Sequence, residues 1–241
     1  VLARARASIS LRGTLQSAVH PVTCRPWRSR GRPVDRLTAV DGSSSNEDTS
    51  AVEDRAERVS VQTYLEMDAR ADGKLELLNG VVVAMAGASP KHNQIVANLA
   101  RALGNALEAS SCRVMTQDQR VSVEATESYV YPDVVVICGE PRFDTRARPA
   151  SLLNPSALVE VLSESTLDHD LGAKLGHYRR IASVREVLFV HTETRAVTLV
   201  TRLDDASWKL VDRGPSGEVV VAGATLSLDA IYDRTDSLPG S

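Results

Sequence analysis

The chain is poor in cysteine and in aromatic side chains, and it lacks any long apolar run. Cys24, Cys112 and Cys138 are its three cysteines among 241 residues, with no CxxC pair. That spacing excludes a zinc ribbon, speaks against a disulfide framework and suits a reducing cytoplasm. Phe, Trp and Tyr make up 4% of the chain, too few and too scattered for a base-stacking platform. Apolar runs stop after a few residues, far short of the roughly 20 that a membrane-spanning helix needs. GxSxG, P-loop, GxGxxG and HExxH patterns are all missing, which leaves serine-hydrolase, nucleotide-binding and zinc-protease readings without a motif. Asp168-His169-Asp170 imitates a metal run, but consecutive residues at a helix start point apart, and acids there suit the helix dipole. What is present is 43% hydrophobic and 24% charged residues, the balance of a globular chain long enough for one sizeable core.

Charge is unevenly distributed. Residues 1–40 hold eight arginines against one acid, Asp35, a net of +7, so the chain total of −3 leaves −10 for the remainder. An acidic core does not bind nucleic acid through a general field, so any such contact must be local or lean on a bound cation. Residues 1–58 read as a basic, Ser-rich tail without sustained periodicity. Its composition fits an upstream extension of the reading frame, a targeting segment or a basic arm that touches nucleic acid. The first two leave a cytoplasmic or a targeted protein as the alternatives, with cytoplasmic the expectation.

Ordered structure is predicted from about Ser60. Ser60 caps a helix to about Ala71, and Asn79-Gly80 joins strands at Leu75–Leu78 and Val81–Met85 in a hairpin. Ser89-Pro90 opens the clearest helix, with Ile95, Val96, Leu99, Leu103 and Leu107 as its apolar stripe to about Ala109. Strands are predicted at 112–117, 119–125, 130–138 and 156–163, then a helix at 167–182 with Leu171, Leu175, Tyr178 and Ile181 inward. Further strands at 185–191, 196–202, 207–212 and 218–222 precede a short helical turn at 228–232. Such an order describes an α/β (α+β) domain with a mixed sheet. The run 134–137 is apolar at every position, as expected of a strand covered on both faces.

Two of these strands each carry one carboxylate. Asp133 stands between Pro132 and Val134, and Glu160 between Val159 and Val161, 27 residues further on. A carboxylate inside an apolar strand is costly unless it is paired or holds a cation. Taken singly, Asp133 reads more readily as an acid capping a turn, and Glu160 equally as a solvent-facing strand residue.

The order of motifs is more specific. Leu75-Glu76-Leu77-Leu78-Asn79-Gly80, Ser89-Pro90-Lys91-His92, Pro132-Asp133, Glu160-Val161-Leu162-Ser163 with Ser165-Thr166, then Lys174 and Tyr178, resemble the Uma2 family from about residue 60 to 233, within an expected domain of 59–235. That family is described as restriction endonucleases with the PD-(D/E)XK nuclease fold. The resemblance implies a restriction-endonuclease-like core, a mixed β-sheet flanked by helices. It implies Mg²⁺, or Mn²⁺ in its place, held by Asp133, Glu160 and the Val161 carbonyl, with cleavage of nucleic acid, DNA first. The lysine of the wider nuclease signature, two residues after the Glu, is Leu162 here; the family pattern moves that role to Lys174. Glu76 becomes a third carboxylate or a partner for Lys174, and His92 a phosphate contact or a brace for Glu76. Glu164 stands where the family usually has Pro. The competing expectation is a catalytically inactive module of the same fold that binds nucleic acid or protein. A homo-oligomeric scaffold is a third, open to a mass measurement in solution.

Overall fold

The computed structural model describes residues 57–85, 87–146, 148–163 and 170–240, with the side chains of 170 and 171 excepted. Only the second of the chain's two units, Asp48–Ser241, contains described residues. The tail reading of 1–58 therefore lies almost wholly outside them, as do Glu164, Ser165 and Thr166.

Helix α1 (Val61–Asp68) starts at Ser60, whose side chain accepts from the Thr63 N–H. Strands β1 (Leu75–Leu78) and β2 (Val81–Ala84) pair antiparallel. Asn79 and Gly80 between them have φ of 50° and 86°, the two positive values that a type I′ turn requires. Helix α2 (Pro90–Leu107) is capped by Ser89 and buries Ile95, Val96, Leu99, Leu103 and Leu107. Strands β3 (Cys112–Thr116), β4 (Val121–Val123), β5 (Ser128–Val130), β6 (Val134–Cys138), β7 (Phe143–Asp144), β8 (Ser151–Leu152) and β9 (Ala157–Leu162) follow. After residues outside the described set, a wide helical turn at Asp170–Lys174 leads into α3 (Leu175–Tyr178). Strands β10 (Glu186–His191), β11 (Val197–Arg202), β12 (Trp208–Arg213), β13 (Glu218–Val221) and β14 (Ala224–Ser227) and helix α4 (Leu228–Ile231) complete the domain.

The strands form two six-stranded sheets and a hairpin. One sheet runs β2-β1-β5-β4-β8-β7, the other β12-β11-β10-β9-β6-β3. The second sheet is mixed, with β9–β10 parallel and its other ladders antiparallel. Strict alternation along β6 and β9 fills both sides. Val134, Val136, Val159 and Val161 pack with α2, β13, β14 and α4. Val135, Ile137, Leu158 and Leu162 pack with Tyr178, Ile181 and the first sheet's Leu78, Val121, Val130 and Leu152. The other face of the first sheet, at Leu77 and Tyr129, is closed by Tyr64 and Leu65 of α1. The α+β class is as expected, but the central sheet has a helix on one face and a second sheet on the other.

Three further readings need correction. The single strand expected at 130–138 is two, because Pro132 has no N–H for a ladder and the chain passes there from one sheet to the other. The helix expected to run to 182 ends at Tyr178. Strand β14 was not anticipated; Ala222 and Gly223, at φ 52° and 83°, make another tight hairpin that the short apolar run concealed. No helix among the described residues is long and apolar enough to cross a membrane.

The cysteines also depart from expectation. Cys112 and Cys138 face each other in the β3–β6 ladder and form a disulfide. Their 26-residue separation makes no motif, and only strand register brings them together. Protein denatured without reductant is expected to expose one reactive thiol, Cys24, and three after reduction. Closing a loop of this length is worth roughly 2–4 kcal/mol in the chain-entropy account, so reduction should lower the unfolding free energy by that order. Three titratable thiols without reductant would overturn the pairing.

Candidate active site

Strand register builds the site. Val134 lies opposite Val159 in the antiparallel β6–β9 ladder, so one step further Asp133 comes opposite Glu160. Both are buried, at 7% and 3% exposure, with Glu76 at 3% and Lys174 at 5% beside them. Glu160 shares its side of β9 with Leu158 and Leu162, the side on which α3 packs. There the Lys174 ammonium lies 3.5 Å from Glu160 Oε1 and 3.2 Å from Glu76 Oε1. The Tyr178 hydroxyl donates to the same oxygen of Glu160 in a short hydrogen bond. Glu76 Oε1 also accepts from the Tyr131 N–H at 2.8 Å.

Asp133 is held from three sides. Its Oδ2 accepts from the Val161 N–H at 2.8 Å and lies 3.3 Å from His92 Nε2. Gln117 Nε2 reaches Oδ1 at 3.4 Å, and the Gln117 N–H donates to the Asp133 carbonyl. His92 is presented by the first turn of α2, which Ser89 caps through the His92 N–H. Its Nδ1 is buried without a hydrogen-bond partner among the described residues.

Burial alone would lower the His92 pKa, but the hydrogen bond and charge of Asp133 outweigh it and raise it above 6.5. The fold therefore favours the protonated ring. That stabilisation is fully present below the ordinary value and is lost as pH rises through the higher folded value. The destabilisation caused by His92→Asn in the metal-free protein should thus be larger in mild acid than in mild base, read from denaturant midpoints. An equal loss at both ends would contradict the pairing with Asp133.

The five residues singled out in the sequence fall into two contacting groups, Glu160 with Lys174 and Glu76, and Asp133 with His92, and two of them differ from one expected alternative each. Glu76 is the partner of Lys174, and His92 braces Asp133 instead of Glu76. Lys174 projects from a wide turn instead of a regular α-helix. Its spacing from Tyr178 still delivers both side chains to Glu160. The Asp170 side chain, expected on the same face, lies outside the described residues. Sequence reasoning missed the Tyr178 hydroxyl as a carboxylate donor, having placed the ring in an apolar stripe. It missed Gln117 altogether, since nothing local marks it. Leu162 is explained: period 2 puts it on the Glu160 side, where it is buried at 2% exposure. The ammonium arrives from the helical turn instead.

The donor set fits a hard divalent cation. Among the described residues, no group of three or more His, Cys, Asp or Glu side chains is arranged to hold a metal, so a backbone oxygen would have to complete a set built on Asp133 and Glu160. Val161 supplies it. Its N–H points to the β6 side, and in an extended strand the C=O of the same residue points the same way. The ladder partner there is Pro132, two positions before Val134, and proline brings no N–H. Carboxylates plus a carbonyl without its ladder donor are the oxygen ligands that Mg²⁺ accepts.

The family model for Uma2, described as "Putative restriction endonuclease", matches residues 61–231. This chain belongs to the Uma2 family. Two cyanobacterial proteins are similar over most of their length. The Synechocystis uncharacterized protein sll1609 is 34% identical over 65% of this chain and 88% of its own. The Synechocystis uncharacterized protein slr1290 is 29% identical over 73% of this chain and 92% of its own. The crystal structure of a nuclease of the DUF820 group from Anabaena variabilis, itself described as putative, superposes with a TM-score of 0.55 at 13% identity. It covers 73% of this chain and 99% of the other. That likeness shows the nuclease-like fold. Every candidate site residue discussed above lies inside the matched span.

Proposed function

We propose that this Uma2 protein is a Mg²⁺-dependent endonuclease, able to use Mn²⁺, that hydrolyses phosphodiester bonds of nucleic acid, DNA first. The observation that carries the reading is the register that sets Asp133 opposite Glu160 on adjacent strands, with the Val161 backbone beside them. Asp133, Glu160 and the Val161 carbonyl would hold the ion. When bound, it supplies a water of lowered pKa and positive charge for the phosphate oxygens. The Val161 N–H, His92 and Gln117 fix the Asp133 carboxylate, and Tyr178 fixes that of Glu160. Glu76 pairs with Lys174 and aims it at the site, where its ammonium would orient the attacking water and balance charge that builds on the phosphate.

A second reading has its own observation: Lys174 lies between Glu76 and Glu160, a closed internal ion pair in place of a poised one. That would suit an inactive module that binds nucleic acid or protein. Calorimetry with Mg²⁺ and Mn²⁺, alongside nicking of supercoiled plasmid with metal or with chelator, separates the two. Metal binding with metal-dependent nicking supports the nuclease; absence of both leaves the binding module. A cytoplasmic location belongs to the first reading, and the Cys112–Cys138 pairing is the observation against a strongly reducing setting. The native thiol count decides that point.

A further inference from the structure

At the other end of the central sheet, arginines gather around one tryptophan. Arg185 and Arg202 are neighbours across the start of β10 and the end of β11, where the Arg202 N–H donates to the Arg185 carbonyl. Trp208 lies opposite Arg202 on β12. The Arg202 guanidinium sits 4.7 Å from the centre of the Trp208 ring, and that of Arg179 5.6 Å from it. Arg202 is consumed by the fold: it donates to the carbonyls of Arg179 and Ile181, just past the end of α3. It thereby fixes the chain that presents Arg179 and Arg180.

Arg179, Arg180 and Arg185 are all exposed. Among the described residues none of them has an acidic partner within salt-bridge distance. The nearby acids are engaged elsewhere: Glu186 accepts from the Ala222 N–H and Asp205 from Ser207. Isolated surface arginines need no explanation. Three without an acidic partner, close together in the chain and one of them over the Trp208 ring, in a chain that carries −10 beyond its first 40 residues, make a local positive patch that a polyanion would meet favourably.

Their position relative to the site gives the partner. The Arg185 N–H donates to Ser156 at the start of β9, and Glu160 lies four residues along that strand, roughly 13 Å away at the usual rise. Trp208 packs into the same core as Leu158 and Leu162, which flank Glu160 on its side of the sheet. Helix α3 joins the two places, with Lys174 and Tyr178 at the carboxylates and Arg179 next in the chain.

We propose that Arg179, Arg180 and Arg185 form a contact surface for the phosphate backbone of nucleic acid, a few nucleotides from the bond cleaved at Asp133 and Glu160. The inference rests on the nuclease reading and names where an acidic domain grips its substrate. Phosphate contacts of this kind carry no sequence information; they set register and the salt dependence of binding.

The test uses the full chain and a short fluorescein-labelled DNA duplex, with anisotropy followed across a sodium chloride series. The variant Arg180→Gln/Arg185→Gln is compared with wild type and with Arg113→Gln/Arg213→Gln, which removes equal charge elsewhere on the surface. Losing two phosphate contacts should make the log–log salt slope shallower by about 1.8 and weaken low-salt binding about tenfold or more, with the control near wild type. Indistinguishable slopes for the two double variants, while wild type binds and nicks DNA, would overturn this surface and leave the nuclease reading standing. Wild type that neither binds nor nicks would remove both. Loss on the patch variant of binding to polyglutamate, with none to DNA, would overturn it in favour of a protein partner. All three proteins should unfold at the same temperature, since these side chains make no buried contact.

Discussion

Glu160→Gln and Asp133→Asn are each expected to reduce metal-dependent nicking by about 10³-fold or more. Both substitutions keep the shape of the side chain and remove the charge that a hard cation needs. Glutamine at 160 can still accept from Tyr178 and Lys174, and asparagine at 133 can still accept from the Val161 N–H. The effect therefore falls on the ion and not on the strand ends. A ligand worth several kcal/mol of transition-state stabilisation, at about 1.4 kcal/mol per tenfold, gives that magnitude. Tyr178→Phe removes only the hydroxyl that orients Glu160, and a loss of about 10- to 100-fold in metal affinity is expected. Lys174→Met should abolish nicking but bind Mg²⁺ no more weakly, because an ammonium competing for Glu160 is gone. Plasmid nicking and calorimetry on the four variants check this pattern. Full activity in Glu160→Gln would end the proposed chemistry.

Arg120→Met is expected to cost about 3–5 kcal/mol of stability, the usual price of removing one partner of a buried ion pair. Arg120 is fully buried, with its guanidinium 2.6 Å from Asp68 Oδ2 and its Nε donating to Ser151. Asp68 also accepts from the Tyr131 hydroxyl and from the Leu75 N–H. Without the arginine, that carboxylate stays buried with two neutral donors and no countercharge. For a domain of this size the loss corresponds to a midpoint lowered by roughly 10 °C. Asp68→Asn/Arg120→Met should recover part of it, since the stranded charge is gone while its hydrogen bonds can persist. A fall of under about 1 kcal/mol in the single variant would mean that water reaches the pair. The network also bears on the site: Tyr131 meets Asp68 through its hydroxyl and holds Glu76 through its N–H.

Much of this was legible in the chain, and the parts that were not share a cause. The Asn79-Gly80 hairpin, the Ser89-capped helix and the doubly covered run at 134–137 follow from local rules: turn dihedrals, a cap and apolar periodicity. Asp133 and Glu160 stood out because charge in an apolar strand is expensive wherever the strand ends up. Arg120 gave no comparable sign, because one arginine beside Gln119 looks like surface until Asp68, 52 residues away, is placed against it. The Cys112–Cys138 pair was misread for the same reason.

By itself, the sequence determined most of the elements, the apolar faces of the longest of them, the family and the candidate site residues. The tertiary structure alone decided who meets whom: Lys174 between Glu76 and Glu160, His92 on Asp133, Pro132 opposite the Val161 carbonyl, arginines around Trp208. Periodicity and capping act over a few residues and leave a mark in the string. Partner choice depends on which strands become neighbours and in what register, and a shift of one residue would turn Glu160 from Lys174 to the α2 face of the sheet.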